Sequence, residues 1–221
     1  MKGGRRISVI IPAYNEAERI GATLDSLNQS WVDEIIVVND GSTDNTPEIV
    51  GEYPVTLINF EKNYGKGKAV KEGIKASSGD LLLLLDADLG ESVGEMEKLL
   101  DPVIREETEV AIAVLPVKGG GLGLVRKLAD YGLKFLTGQS MRAPLSGQRV
   151  ISRSLIDKME TLPQGFGLEI GMDIELIRAG INFKEIECNL KHRVTGRDIK
   201  GFIHRSKQFM AILSTIWQMR R

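Results

Sequence analysis

One cysteine, two histidines and an aromatic content of 5% are what this 221-residue chain has least of. The lone thiol, Cys188, permits no internal disulfide and no cysteine metal cluster, and its neighbours mark it as an inert strand residue. Aromatics this sparse, not alternating with the basic residues, leave no stacking platform for single-stranded nucleic acid. Zinc-finger and helix-turn-helix signatures are missing too, so no nucleic-acid partner is expected. No apolar run approaches the roughly 18 residues needed to cross a bilayer, and the first residues lack the charged-then-apolar order of a signal peptide. A cytoplasmic location is therefore expected. The chain also lacks internal repeats and low-complexity linkers, which favours a single domain over residues 1–221.

Hydrophobic residues make up 42% of the sequence, enough at this length to build a core and to argue against disorder. The net charge of −1 hides a division. Residues 191–221 carry Lys191, Arg193, Arg197, Lys200, Arg205, Lys207, Arg220 and Arg221 against Asp198 alone, which leaves −8 for the rest. Such a basic segment suits an anionic substrate, an anionic membrane surface or the acidic face of its own body.

Apolar β-branched runs alternate with amphipathic segments. Strands are expected at Ile7 to Pro12, Glu34 to Asn39, Val55 to Phe60, Asp80 to Leu85 and Val110 to Val114. Between them, Glu16 to Asn28, Asp44 to Gly51, Gly67 to Ala76 and Val93 to Glu106 read as helices. This βαβ rhythm predicts an α/β fold with a Rossmann-like, doubly wound, mostly parallel sheet. Regularity falters at Gly119, Gly120, Gly121 and Gly123, a loop. Beyond it, helices are expected at Leu124 to Leu136, Ser154 to Thr161 and Glu169 to Ala179, with strands near Gln148 to Ile151 and Asn182 to Asn189. Lys2, Gly3, Gly4, Arg5 and Arg6 are expected to form a tail. From Ile199, the residues Phe202, Ile203, Phe209, Met210, Leu213, Ile216 and Trp217 recur at helical spacing. They predict a C-terminal amphipathic helix over 198–221, packed on its own domain or in a homodimer seam, or else lying on a membrane as a peripheral contact.

Chemistry is expected at the carboxyl ends of the strands, where open α/β sheets bind ligands. Leu81 to Leu85 breaks into Asp86, Ala87 and Asp88, two carboxylates that suit a Mg or Mn ion carrying a diphosphate, or else cap the next helix. The first strand ends in Pro12, Ala13, Tyr14, Asn15 and Glu16. Asn15 is placed to cap the helix, leaving backbone groups near Pro12 and Ala13 open to a planar ligand. The second strand ends in Asn39, Asp40, Gly41, Ser42, Thr43 and Asp44. There Asp40 offers a carboxylate to an imide N–H such as that of uracil, Gly41 and Ser42 permit a tight turn, and Asp44 fits ordinary capping. In Asn63-Tyr64-Gly65-Lys66-Gly67-Lys68, which opens a helix, Lys66 is placed to neutralise phosphate and Lys68 reads as a solvated helix residue. The order lacks the spacing and hydroxyl of a Walker loop, so ATP hydrolysis is not indicated.

The Pro-Ala-Tyr-Asn-Glu, Asn-Asp-Gly-Ser-Thr-Asp and Asp-Ala-Asp motifs together resemble family 2 glycosyltransferases of the GT-A fold, which use nucleotide-diphospho-sugars. The resemblance implies a nucleotide-sugar-binding half at 7–115. In it Pro12, Ala13, Glu16 and Asp40 hold the nucleoside, Lys66 and Gly67 meet the donor, Asp86 lies near ribose or metal, and Asp88 is a metal ligand. A second, narrower resemblance, to glucosyl-3-phosphoglycerate synthases, rests on Ala143-Pro144-Leu145-Ser146-Gly147-Gln148, on Gly165-Phe166-Gly167-Leu168-Glu169-Ile170-Gly171 and on Lys191-His192-Arg193. It implies an acceptor-binding half at 116–197, a donor contact at Gly147, His192 as the metal ligand that joins Asp88, and Glu169 as a catalytic carboxylate. The glycine loop lacks the threonine that receives an acceptor phosphate in that family, which leaves Arg126, Arg193 and Arg197 to hold an anionic acceptor.

The expected partners are thus a nucleotide-diphospho-sugar, a UDP-sugar by resemblance, with Mg or Mn, and an anionic acceptor such as 3-phosphoglycerate. Asp88, His192 and the ion, with Lys66, are expected to stabilise charge on the leaving UDP. Glu169 deprotonates the acceptor hydroxyl if the anomeric centre inverts and has no such task if it is retained. The synthase resemblance favours retention and the wider family inversion. A polyprenyl phosphate acceptor at the membrane surface, and nucleotide-sugar binding without catalysis, stand as alternatives. A nucleotidyltransferase fits poorly, because no Gly-rich loop with arginine follows the first strand.

Overall fold

The computed structural model describes residues 1–115, 123–158, 167–190 and 199–220, without the side chains of 123–124 and 199–207. Its strands are β1 (Ile7–Ala13), β2 (Glu34–Asn39), β3 (Thr56–Asn59), β4 (Leu81–Leu84), β5 (Val110–Val114), β6 (Arg149–Ser152) and β7 (Phe183–Glu187). They form one sheet in the order β3-β2-β1-β4-β6-β5-β7. The pairs β3-β2, β2-β1, β1-β4 and β5-β7 are parallel, with Ile10 opposite both Ile36 and Leu84. Strand β6 runs antiparallel to both of its neighbours, which the hydrophobic pattern does not reveal.

Continuous apolar runs rather than alternating ones form the central strands because both faces of the sheet are covered. Leu81 to Leu85 are each at most 4% exposed. Helices α1 (Ile20–Ser26), α2 (Thr46–Gly51) and α4 (Glu97–Ile104) lie on one face, against Val9, Ile11, Leu83 and Leu85. Helices α3 (Lys66–Ala76), α5 (Gly123–Thr137), α7 (Leu168–Arg178) and α8 (Ile199–Gln218) cover the other, against Ile10, Leu82, Leu84 and Ile112. The short α6 (Arg153–Ile156) follows β6 directly.

Several boundaries differ from the sequence expectation for local reasons. Helix α1 starts at Ile20 rather than Glu16, because Asn15 takes a positive φ of 55° and residues 17–19 form a turn. The expected helix from Val93 to Glu106 divides into a 3-10 segment, Gly90–Met96, and α4, and ends where Glu106 turns left-handed at φ 57°. Helix α6 is shorter than the expected Ser154 to Thr161, whose last residues lie outside the described ones. The expected tail is pinned: Lys2 and Arg5 exchange backbone hydrogen bonds, and Lys2 Nζ reaches Glu97 at 2.8 Å and Asp101 at 2.6 Å. Helix α8 forms from Ile199 as expected, but it buries Ile212 and Ile216 while Met210, Leu213 and Trp217 face outward. Cys188 follows β7, and burial pushes its thiol up to about 11, in keeping with an inert residue.

Candidate active site

Strand β1 lies where the winding of the sheet reverses, since β2 and β3 extend to one side of it and β4 to the other. The carboxyl ends of β1 and β4 frame an open cleft of about 380 Å³, lined by Pro12, Ala13, Glu16, Asp40, Lys66, Asp86 and Asp88. The structure therefore brings these seven sequence-predicted residues together, and adds Tyr14 and Asn63.

Loop geometry here is set by contacts between turns. The Asn15 side chain does not cap α1. Its Oδ1 accepts the Thr43 N–H at 2.8 Å, while the Asn15 N–H donates to Ser42 Oγ at 2.9 Å, which sews the first two turns together. Asp44 accepts from the Thr46 N–H with one oxygen and from the Ala17 N–H with the other. Asp40 is 3% exposed, and its two oxygens accept the backbone N–H groups of Tyr64 and Gly65 at 2.7 and 2.8 Å. Beside it Gly41 sits at φ +69°, where a Cβ would lie 2.3 Å from the Lys62 carbonyl carbon. Glycine is required there, and the Asp40-Gly41 corner fastens the segment that delivers Lys66.

Lys66 opens α3 and reaches across to two chain-distant carboxylates. Its Nζ donates to Asp86 Oδ1 and to Glu169 Oε1, both at 2.7 Å. Burial works to lower the lysine pKa, but the two carboxylates outweigh it and hold the ammonium above the usual range. Glu169 is 8% exposed, in the first turn of α7, where a carboxylate also suits the helix dipole.

The turn before β6 closes over this pair. Gln148 Nε2 donates to Asp86 Oδ2 at 2.5 Å, and Gly147 lies so close that a Cβ would stand 2.6 Å from Lys66 Nζ. Behind the turn, Arg149 donates to the Ser146 carbonyl at 2.5 Å and to Asp173 Oδ1 at 2.9 Å. Asp173 Oδ2 is buried without a hydrogen-bond partner, and burial pushes this carboxyl up to about 7 against the pull of Arg149. Sequence reasoning missed Arg149 and Asp173. The available signal was a charge at the edge of one apolar run, Arg149 before Val150-Ile151, and inside another, Asp173 between Met172 and Ile174.

Other predicted residues stand apart. Gly67 is buried in α3, and Lys68, half-buried, places its Nζ 3.6 Å over the exposed Tyr64 ring. Arg126 is exposed on α5 and does not line the cleft. His192, Arg193 and Arg197 lie outside the described residues. Among the described residues no group of three or more His, Cys, Asp or Glu side chains is placed to hold a metal. Of the cleft's carboxylates, Glu16, Asp40, Asp86 and Asp88, the last two stand together just past the end of β4 as hard-oxygen donors.

The Glycosyl transferase family 2 profile matches residues 8–160. A dolichol-phosphate mannosyltransferase of Pyrococcus furiosus is 33% identical over 178 residues, which cover 73% of this chain and 50% of that protein. A glucosyl-3-phosphoglycerate synthase of Mycobacterium tuberculosis is 30% identical over 200 residues, 79% of this chain and 61% of that protein. The chain thus spans less than two thirds of the length of either relative. The Mycobacterium tuberculosis synthase solved with Mn2+, uridine-diphosphate and glucosyl-3-phosphoglycerate superposes with a TM-score of 0.82 at 28% identity, over 99% of this chain and 81% of that one.

Proposed function

This chain belongs to glycosyl transferase family 2, and from that premise we propose that it moves a sugar from a UDP-sugar to a hydroxyl of a small anionic acceptor of the 3-phosphoglycerate type. The observation that carries the reading is the Lys66 ammonium, seated between Asp86 and Glu169 in the wall of the β1-β4 cleft. A fixed cation at that place serves a reaction that sheds an anionic leaving group. The synthase that shares the fold is solved with UDP and a glucosylated phosphoglycerate, which supports both donor and acceptor class.

Pro12, Ala13 and the segment fastened by Asp40 receive the nucleoside. Lys66 donates to the departing diphosphate. Gln148 and Lys66 orient Asp86 by holding one oxygen each. Asp86 and Asp88 are the donors that fit a Mg or Mn ion, with His192 joining them by resemblance; bound there, the ion would neutralise diphosphate charge. Glu169 is tied to Lys66 on the donor side, which favours retention at the anomeric centre, a course that asks no base of it. Arg193 is, by resemblance, the arginine assigned to the anionic acceptor, whereas Arg126 would meet it only outside the cleft.

UDP release from UDP-glucose tests the reading. Turnover is expected to need Mg or Mn together with 3-phosphoglycerate and to disappear in Asp88→Ala and His192→Ala. Turnover with a polyprenyl phosphate alone would move the acceptor to the membrane, and UDP-sugar binding without turnover on any acceptor would leave a sensor.

A further inference from the structure

Helices α5 and α8 present an outward face that the described residues leave uncovered. On α8, Met210, Leu213 and Trp217 recur on one side, with Arg220 just past its last turn; Met210 is 64% and Trp217 68% exposed. On α5, Lys127, Tyr131, Lys134 and Phe135 form a matching stripe, with Tyr131 70% and Phe135 58% exposed. The stripes join, since the Arg220 guanidinium lies 5.3 Å from the centre of the Phe135 ring, which stacks on Tyr131 at 6.4 Å. The inward sides of both helices are already satisfied by Ala129, Leu133, Ile212 and Ile216 in the core. Packing among the described residues does not account for the outward rings.

Charge selects the occupant. Helix α8 contains no acidic residue, and the one acidic residue of α5, Asp130, is half-buried with Oδ1 shut off from solvent. Exposed aromatic rings flanked by lysine and arginine, with no carboxylate among them, suit the headgroup region of an anionic bilayer, where rings sit at the interface and basic side chains reach lipid phosphate. A second copy related by a two-fold axis would set this cationic face against itself. We propose that the α5-α8 face docks the protein on an anionic lipid surface, with Tyr131, Phe135 and Trp217 entering the headgroup layer and Lys127, Lys134 and Arg220 meeting lipid phosphates. The attachment is peripheral: no helix among the described residues is long and apolar enough to cross a membrane. It stands apart from the acceptor assignment, and either can fail alone.

Co-flotation of the full chain with phosphatidylcholine vesicles, with and without phosphatidylglycerol, tests the proposal. Trp31, the other of two tryptophans, is 4% exposed in the core, so quenching by brominated lipid reads Trp217. Binding to anionic vesicles with quenching is expected, weakened about thirtyfold in Lys127→Ala/Lys134→Ala and also reduced in Trp217→Ala, with unfolding midpoints unchanged. Absence of binding, equal binding to neutral vesicles, or indifference to the lysine substitutions would overturn it. So would a concentration-dependent dimer in sedimentation that Trp217→Ala dissociates, which would make a second copy the occupant.

Discussion

The guanidinium of Arg149 meets the carboxylate of Asp173 at 2.9 Å, with the two side chains 1% and 0% exposed. Through its second contact, to the Ser146 carbonyl, Arg149 pins the turn that lays Gly147 and Gln148 against Asp86. Stripping a buried charge of its partner costs roughly 3–5 kcal/mol. Arg149→Met is expected to lose about that much stability in urea unfolding and to slow UDP release. Arg149→Met/Asp173→Leu is expected to recover most of the stability but not the turnover, because the Ser146 anchor stays lost. Full turnover in the double variant would show that the turn needs no anchor.

The same pair sets a pH dependence. Asp173 has a folded pKa raised to about 7 from an ordinary 3.8, so between those values the native state binds more protons than the unfolded one. Its contribution is fully present below the unfolded value and is lost as pH rises through about 7. Unfolding midpoints measured from pH 4 to pH 8 are therefore expected to fall for the wild type relative to Asp173→Asn. A gap that moves the other way would show that Arg149 outweighs burial.

Gly147 guards the position of Lys66. A methyl there would lie 2.6 Å from Lys66 Nζ and 3.0 Å from Asp86 Oδ1, both ends of flexible side chains. Gly147→Ala is expected to leave the unfolding midpoint nearly unchanged while lowering kcat about a hundredfold, the cost of roughly 1 Å of misplacement. Lys66→Met, which removes the cation, is expected to lose about 10²–10³. Equal activity of Gly147→Ala and wild type would detach Lys66 from the reaction.

Glu169 is expected to act by holding Lys66. Glu169→Gln weakens one charge-assisted hydrogen bond, so kcat/KM is expected to fall roughly ten- to a hundredfold, with the anomeric configuration of the product retained by NMR. An inverted product together with near-complete loss of turnover would make Glu169 the base.

Much of the sheet was legible because buried parallel strands announce themselves as apolar runs. Glu34–Asn39 and Val110–Val114 match to the residue. The direction of β6 was not legible, since an apolar run has no sign of direction and only its pairing with Leu81–Leu84 and Val110–Ile112 supplies one. Within the site, Asp86, Asp88 and Lys66 stood out as polar residues where strands end or helices begin. Asp40 was legible as a residue at a strand end, which the structure places on the cleft wall, but not its backbone partners at Tyr64 and Gly65, which tertiary structure brings from the next turn. Arg149 and Asp173 were opaque for the same reason: each looks misplaced until the other is beside it.

Strand β6 also imposes an order on the birth of the protein. It covers the flank of β4 that β1 leaves bare, and β5, although made earlier, pairs among the described residues with β6 and β7. At ~5–20 residues per second, the stretch from Leu84 to Arg149 takes several seconds to leave the ribosome. A sheet formed from β1 to β4 in that interval would end in a strand of four leucines with unpaired backbone groups, a template for another chain. The late strand that covers those leucines also brings Gln148 to Asp86, so the cleft is complete only once that flank is closed.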